Sequence, residues 1–131
     1  MSAAENKKFI QRVYAELSRG VTESFIENLA DNIRWTVIGT TKFSGTITGK
    51  PDVIDKLFNR VESQLGGATI ATIKNIVAEG DYVVVESSGE VTTKTGKPYN
   101  NTYCEIYRFS NGKIQEVTVY LDTALVEAVF G

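Results

Sequence analysis

Residues 99–121 read YNNTYCEIYRFSNGKIQEVTVYL, and the fold turns on how that stretch is understood. At its centre, Ser110-Asn111-Gly112-Lys113 is a hairpin turn, because Asn-Gly readily adopts the positive φ angles that a tight turn requires. The flanking residues are rich in aromatic and β-branched side chains, so residues 99–109 and 114–121 are expected to pair as antiparallel strands. Working back along the chain, a Lys94-Thr95-Gly96-Lys97 turn leads to a strand over residues 82–92. Glu79-Gly80-Asp81 then turns the chain into another strand over residues 69–78. Four consecutive strands predict an antiparallel meander.

Upstream of Gly67 the apolar period becomes helical. Phe9, Ile10, Val13, Tyr14 and Leu17 form one stripe over residues 3–18, and Gly20 follows as a stop signal. Thr22 suits the N-cap of a short second helix with Phe25, Ile26 and Leu29 facing inward, closed by Asp31-Asn32. Residues 33–38 alternate as a strand, and residues 39–49, rich in Gly, Thr and Ser, suggest a short irregular hairpin anchored by Phe43 and Ile47. Pro51 opens a third helix whose stripe is Val53, Ile54, Leu57, Phe58, Val61 and Leu65. Residues 122–130 can form a terminal helix. Helices gathered first and strands last predict one α+β domain over residues 1–131, with about three helices covering one face of a curved antiparallel sheet. Such a sheet leaves a cavity at its open end, a preferred place for a small molecule.

Composition narrows the chemistry. Fourteen basic against sixteen acidic residues give a net charge of -2, with no basic stripe of the kind a nucleic-acid partner needs. With no histidine, Ser-His-Asp and Cys-His mechanisms are excluded, and zinc and non-haem iron lose their commonest ligand. Cys104 is the single cysteine, so no internal disulfide can form and no histidine can activate it. No run approaches the roughly 20 apolar residues of a membrane span, and the polar start MSAAENKK lacks a signal-peptide pattern, so a cytoplasmic protein is expected.

Several strings resemble the nuclear transport factor two superfamily, which includes ketosteroid isomerase, SnoaL-like polyketide cyclases and limonene epoxide hydrolase. Val13-Tyr14-Ala15-Glu16-Leu17 is similar to the isomerase segment that carries an oxyanion-hole tyrosine. Glu105-Ile106-Tyr107-Arg108-Phe109 is similar to the strand on which that enzyme keeps a protonated aspartate. The tail from Asn111-Gly112-Lys113-Ile114 to Tyr120-Leu121-Asp122 resembles a recurrent signature of the superfamily. The pattern Trp35…Gly39…Gly45…Gly49, with an aspartate at 122, resembles SnoaL-like proteins. The resemblance implies a cone-shaped sheet and a homodimer. Two departures stand out: Val37 occupies the place of the isomerase's general-base aspartate, and residues 82–91 lack the Arg-x-Asp of the epoxide hydrolase.

The candidate site follows from these residues. Asp122, at the junction of strand and helix, could remove a proton α to a carbonyl or could simply N-cap the terminal helix. Glu105 interrupts a mostly apolar strand and shares its face with Tyr103, Tyr107 and Phe109. By analogy with ketosteroid isomerase, which is itself a standard illustration of this arrangement, Glu105 could stay neutral and donate to an oxyanion. The alternative is a cross-strand ion pair. Tyr14 is either a second oxyanion donor or a core tyrosine. Trp35, Val37, Tyr103, Tyr107 and Tyr120 are candidate walls for a flat apolar ligand. The expected function is a cofactor-free isomerase or cyclase acting on a small hydrophobic carbonyl compound, the alternative being a non-catalytic ligand-binding or assembly module of the same fold.

Overall fold

A computed structural model describes residues 2–131. Helix α1 (Ala3–Ser18) begins with a capping box, in which the Ser2 hydroxyl accepts the Glu5 N–H and the Glu5 carboxylate accepts the Ser2 N–H. Its buried stripe includes Phe9, Ile10, Val13 and Tyr14. Helix α2 (Glu23–Glu27) is shorter than the sequence predicts, because the Asn28 side chain donates to the Ser24 carbonyl at 2.7 Å and closes it. Leu29 therefore belongs to strand β1 (Leu29–Val37) and not to a helix. It is buried there beside Ile114, its partner across the sheet.

Strand β2 (Gly45–Thr48) pairs antiparallel with β1. Helix α3, residues 50–62, carries Pro51 in its first turn and is continuous but not uniform: α-helical at Lys50–Val53, π-helical at Ile54–Phe58, and α-helical again at Asn59–Glu62. Ile54, Leu57, Phe58 and Val61 share one side of this helix and line a cavity. The helix ends before Leu65, which instead bridges to Thr93.

The meander follows as β3 (Ile70–Glu79), β4 (Tyr82–Glu90), β5 (Thr102–Ser110) and β6 (Lys113–Leu121), before helix α4 (Thr123–Phe130). The strands form one curved sheet in the order β2-β1-β6-β5-β4-β3. Four neighbouring pairs are antiparallel, but β1 and β6 run parallel, so the expected antiparallel sheet is mixed at that one seam. A parallel pair needs a long crossover, and α3 with the rest of the meander supplies it. On β3 a register shift between Ile73 and Asn75 resets the alternation, so that Ala71 and Ile73 before it, and Ile76 and Ala78 after it, all pack on the core.

The residues just before β5, expected to be strand, are a polar clamp. Asn101 is 1% exposed; its amide donates to the Tyr99 hydroxyl and the Asp122 carbonyl, and its Oδ1 accepts the N–H groups of Thr102 and Asp122. One side chain thus joins the start of β5 to the end of β6 and the root of α4. Asn101→Ala leaves several of these groups unpaired and is expected to lower unfolding free energy by roughly 2–3 kcal/mol. Urea denaturation measures it, and a loss below about 0.5 kcal/mol, the range of neutral surface changes, contradicts the clamp.

Candidate functional site

The helices and the inner face of the sheet enclose a cavity of about 1070 Å³. Its wall includes Trp35 and Val37 from β1, the α3 side chains named above, Tyr103, Glu105 and Tyr107 from β5, and Tyr14 from α1. Trp35 is held in an aromatic cluster, edge-on to Phe25 at 6.1 Å and to Phe58 at 4.9 Å between ring centroids. α4 closes one side with Val126 and Phe130, and the Phe130 ring packs on Tyr99 and Phe43.

Strand alternation puts Tyr103, Glu105 and Tyr107 on the inner face while Cys104, Ile106 and Arg108 point outward. Arg108 and Arg34 both pair with Glu116 on the outer face, each at 3.7 Å. Among the described residues no cation pairs with Glu105, so the ion-pair alternative does not describe its surroundings. Its partner is a phenol: Tyr14 donates to Glu105 Oε1 and in turn lies 2.8 Å from the Tyr107 hydroxyl. Because the Tyr14 proton goes to Glu105, Tyr107 donates to Tyr14, giving a chain Tyr107 to Tyr14 to Glu105 in which each bond polarises the next.

The electrostatics follow from enclosure. Burial raises the Glu105 pKa above the ordinary carboxylate value, and the single bond from Tyr14 only partly offsets this. Burial also raises the pKa values of Tyr14 and Tyr107, and the neighbouring Glu105 pushes both further the same way. The phenols stay neutral donors. A protonated Glu105 that accepts at Oε1 carries its proton on Oε2, which makes no protein hydrogen bond among the described residues. That leaves a free acidic donor in an apolar cavity.

Not every candidate converges there. Asp122 is exposed and absent from the cavity wall; its Oδ1 accepts the Leu125 N–H at 3.2 Å, so it caps α4. The proposed base is corrected accordingly: the need of α4's first turn for an acceptor aims the carboxylate along the helix, away from the cavity. Tyr120 is 46% exposed on the outer face, beside Cys104 across the sheet, and is no wall of the cavity. Its alternation with inward Val119 and Leu121 dictates this. Sequence reasoning missed Ser87, a buried cavity residue on β4, although its inward parity with Val83 and Val85 was readable. Among the described residues no group of three His, Cys, Asp or Glu could hold a metal ion, and no helix is long and apolar enough to cross a membrane.

The profile of the SnoaL-like domain matches residues 10–117. The chain belongs to the SnoaL-like family. No curated protein matches the sequence. Similar solved structures include an NTF2-like protein of unknown function from Burkholderia pseudomallei K96243, 21% identical over 100% of both chains with a TM-score of 0.84. A candidate SnoaL-like polyketide cyclase from Jannaschia sp. CCS1 is 16% identical, with 97% of this SnoaL-like chain and 92% of that chain covered and a TM-score of 0.79. TerC, co-crystallized with polyporic acid, is 22% identical over 93% of this chain and 95% of its own, with a TM-score of 0.78. At these identities the likeness establishes the NTF2-like fold of this SnoaL-like chain.

The buried carboxyl gives the SnoaL-like protein a pH signature. The Glu105 pKa is higher in the folded than in the unfolded state, so its contribution is fully present below the unfolded pKa and is lost as pH rises through the folded one. The stability difference between wild type and Glu105→Gln is therefore expected to move against wild type from about pH 4.5 upward, the ordinary range for a glutamate. Urea denaturation of both proteins across pH 4.5–8, about the range over which a buried carboxyl titrates, measures it; a pH-independent difference contradicts the assignment.

Proposed function

We propose that this SnoaL-like protein is a cofactor-free acid–base enzyme of isomerase or cyclase type, acting on a small hydrophobic carbonyl compound. The observation that carries the reading is Glu105: a carboxyl in an apolar cavity, unpaired with any cation, fixed at one oxygen by Tyr14 and free at the other. The substrate's carbonyl oxygen accepts a hydrogen bond from the Oε2 proton, while Tyr14 and Tyr107 hold the carboxyl in place. Polarising the carbonyl acidifies the adjacent C–H, and the proton released passes to water in the cavity. As negative charge grows on the oxygen, a preorganised donor of this kind contributes about 3–4 kcal/mol to the transition state. The cyclase named from Jannaschia and the polyporic acid bound to TerC lend this reading support from similar folds.

One observation favours a second reading, a non-catalytic binder. The other carboxylate on the cavity wall, Glu62, is exposed near the end of α3, and Val37 lines the wall on β1, so no second buried carboxyl accompanies Glu105. The readings separate by exchange of the α-hydrogens of 1-tetralone in deuterated water, followed by NMR. The enzyme reading expects wild type to accelerate exchange and Glu105→Leu to lose about 100-fold, the usual effect of removing one oxyanion donor. Asp122→Asn, which keeps a helix cap, leaves the rate unchanged. Binding of 1-tetralone without acceleration by wild type establishes the binder instead.

The homodimer expected from the resemblance is part of the proposal. Val77, Tyr82 and Tyr120 are exposed on the outer sheet face, and a second copy packed there would cover them. Size-exclusion chromatography at micromolar concentration is expected to give a dimer; a monomer overturns this part alone.

A further inference from the structure

Beyond Glu105, two further hydroxyls line the cavity, those of Ser87 and Tyr103. Ser87 on β4 and Tyr103 on β5 are directly opposite each other in the antiparallel register, so both side chains leave the same face, and both line the cavity. Ser87 is 5% exposed, yet its hydroxyl makes no protein hydrogen bond among the described residues, while the Tyr103 hydroxyl has that of Tyr99 beside it. A buried hydroxyl normally finds a partner, because leaving it unpaired costs about 1–3 kcal/mol. Here the Ser87 hydroxyl remains open to the cavity.

The backbone makes room for this arrangement. Gly89 lies two residues beyond Ser87 on the same strand face, and a Cβ there would come within 3.2 Å of the Tyr103 ring and 2.8 Å of the Thr69 methyl. The missing side chain lets the Tyr103 ring lie against β4, with its hydroxyl on Ser87's strand. The Tyr99 hydroxyl, held by Asn101, closes the far side of the same corner. Tyr103 and Glu105 are two residues apart on one strand face, which separates their backbone positions by about 7 Å.

We infer that the cavity selects a ring compound bearing oxygen at two opposite positions, a carbonyl at Glu105 and a hydroxyl or second carbonyl at Ser87 and Tyr103. This rests on the reading of Glu105 as the carbonyl donor and names the substrate class for that site. A serine and a tyrosine hydroxyl can each donate or accept, so the corner takes an alcohol or a ketone oxygen. An apolar ring fills the space between, against Trp35 and the α3 side chains. Ser87 and Tyr103 are thus specificity-determining residues, remote from the reacting carbonyl.

The test compares two ligands on one skeleton, 1-tetralone and 4-hydroxy-1-tetralone, by isothermal titration calorimetry. Wild type is expected to bind the hydroxyketone about tenfold more tightly, the value of one good buried hydrogen bond. Ser87→Ala and Tyr103→Phe, which retain the shape of the wall, are expected to erase most of that preference while leaving 1-tetralone affinity within about twofold. Thermal melts verify that both variants are folded. Equal affinity of wild type for the two ligands overturns the inference. So does a preference that survives both substitutions, and if Glu105→Leu still weakens both ligands in that case, the reading of Glu105 stands without it. If neither ligand binds wild type, both fall together.

Discussion

A carboxyl group taken out of water without a cation to accompany it is the constraint from which the rest of this molecule follows. Glu105 is held among phenols and aliphatic side chains, with Tyr14 as its one protein partner. An ionised carboxylate in such a place is strongly disfavoured, so the protein either supplies enough donors or lets the group keep its proton. Only one donor is supplied. The side chains around it fix its geometry: Tyr14 donates to one carboxyl oxygen, and Tyr107 holds Tyr14. The aromatic wall built on Trp35 lines the same cavity and adds to its apolar surface.

That wall depends on local devices that are individually modest. The π turn in α3 lies in the segment whose Ile54, Leu57 and Phe58 side chains line the cavity. The bulge in β3 keeps two halves of one strand facing the same core. The Asn101 clamp holds the meander's end and α4 together, so that Phe130 stays seated on Tyr99 and Phe43. The π turn and the bulge are departures from regular geometry, and the π turn borders the cavity. Departures of this kind concentrate where a fold makes room for a ligand.

Much of the architecture was legible because its signals are local. The Asn-Gly turn, the helical stripes of α1 and α3, and Asp122 as a cap all follow from residues within one or two turns of each other. The parity of β5 also located Glu105 on the face of Tyr103 and Tyr107. What failed was long-range. Leu29 continues a helical stripe as well as it begins a strand, and only Ile114 at the other end of the chain decides between them. Tyr14 and Glu105 have no local signal for their contact, since they come from the first helix and the fifth strand; their pairing was approached through family resemblance alone. Tyr120 suits a cavity wall by side-chain type, but its parity against inward Val119 and Leu121 puts it on the outer face.

The parallel seam between β1 and β6 has a consequence for how the chain is made. An antiparallel hairpin can close as soon as its second strand exists, but β1 waits for the last strand to be synthesised before its inner edge is satisfied. Until then Trp35 and Val37 belong to a two-stranded fragment with an open edge, the arrangement most prone to mispairing. The cavity, whose wall takes residues from β1 and from β6, is therefore complete only once these two strands are paired. Non-local closure of this kind slows folding relative to a simple meander.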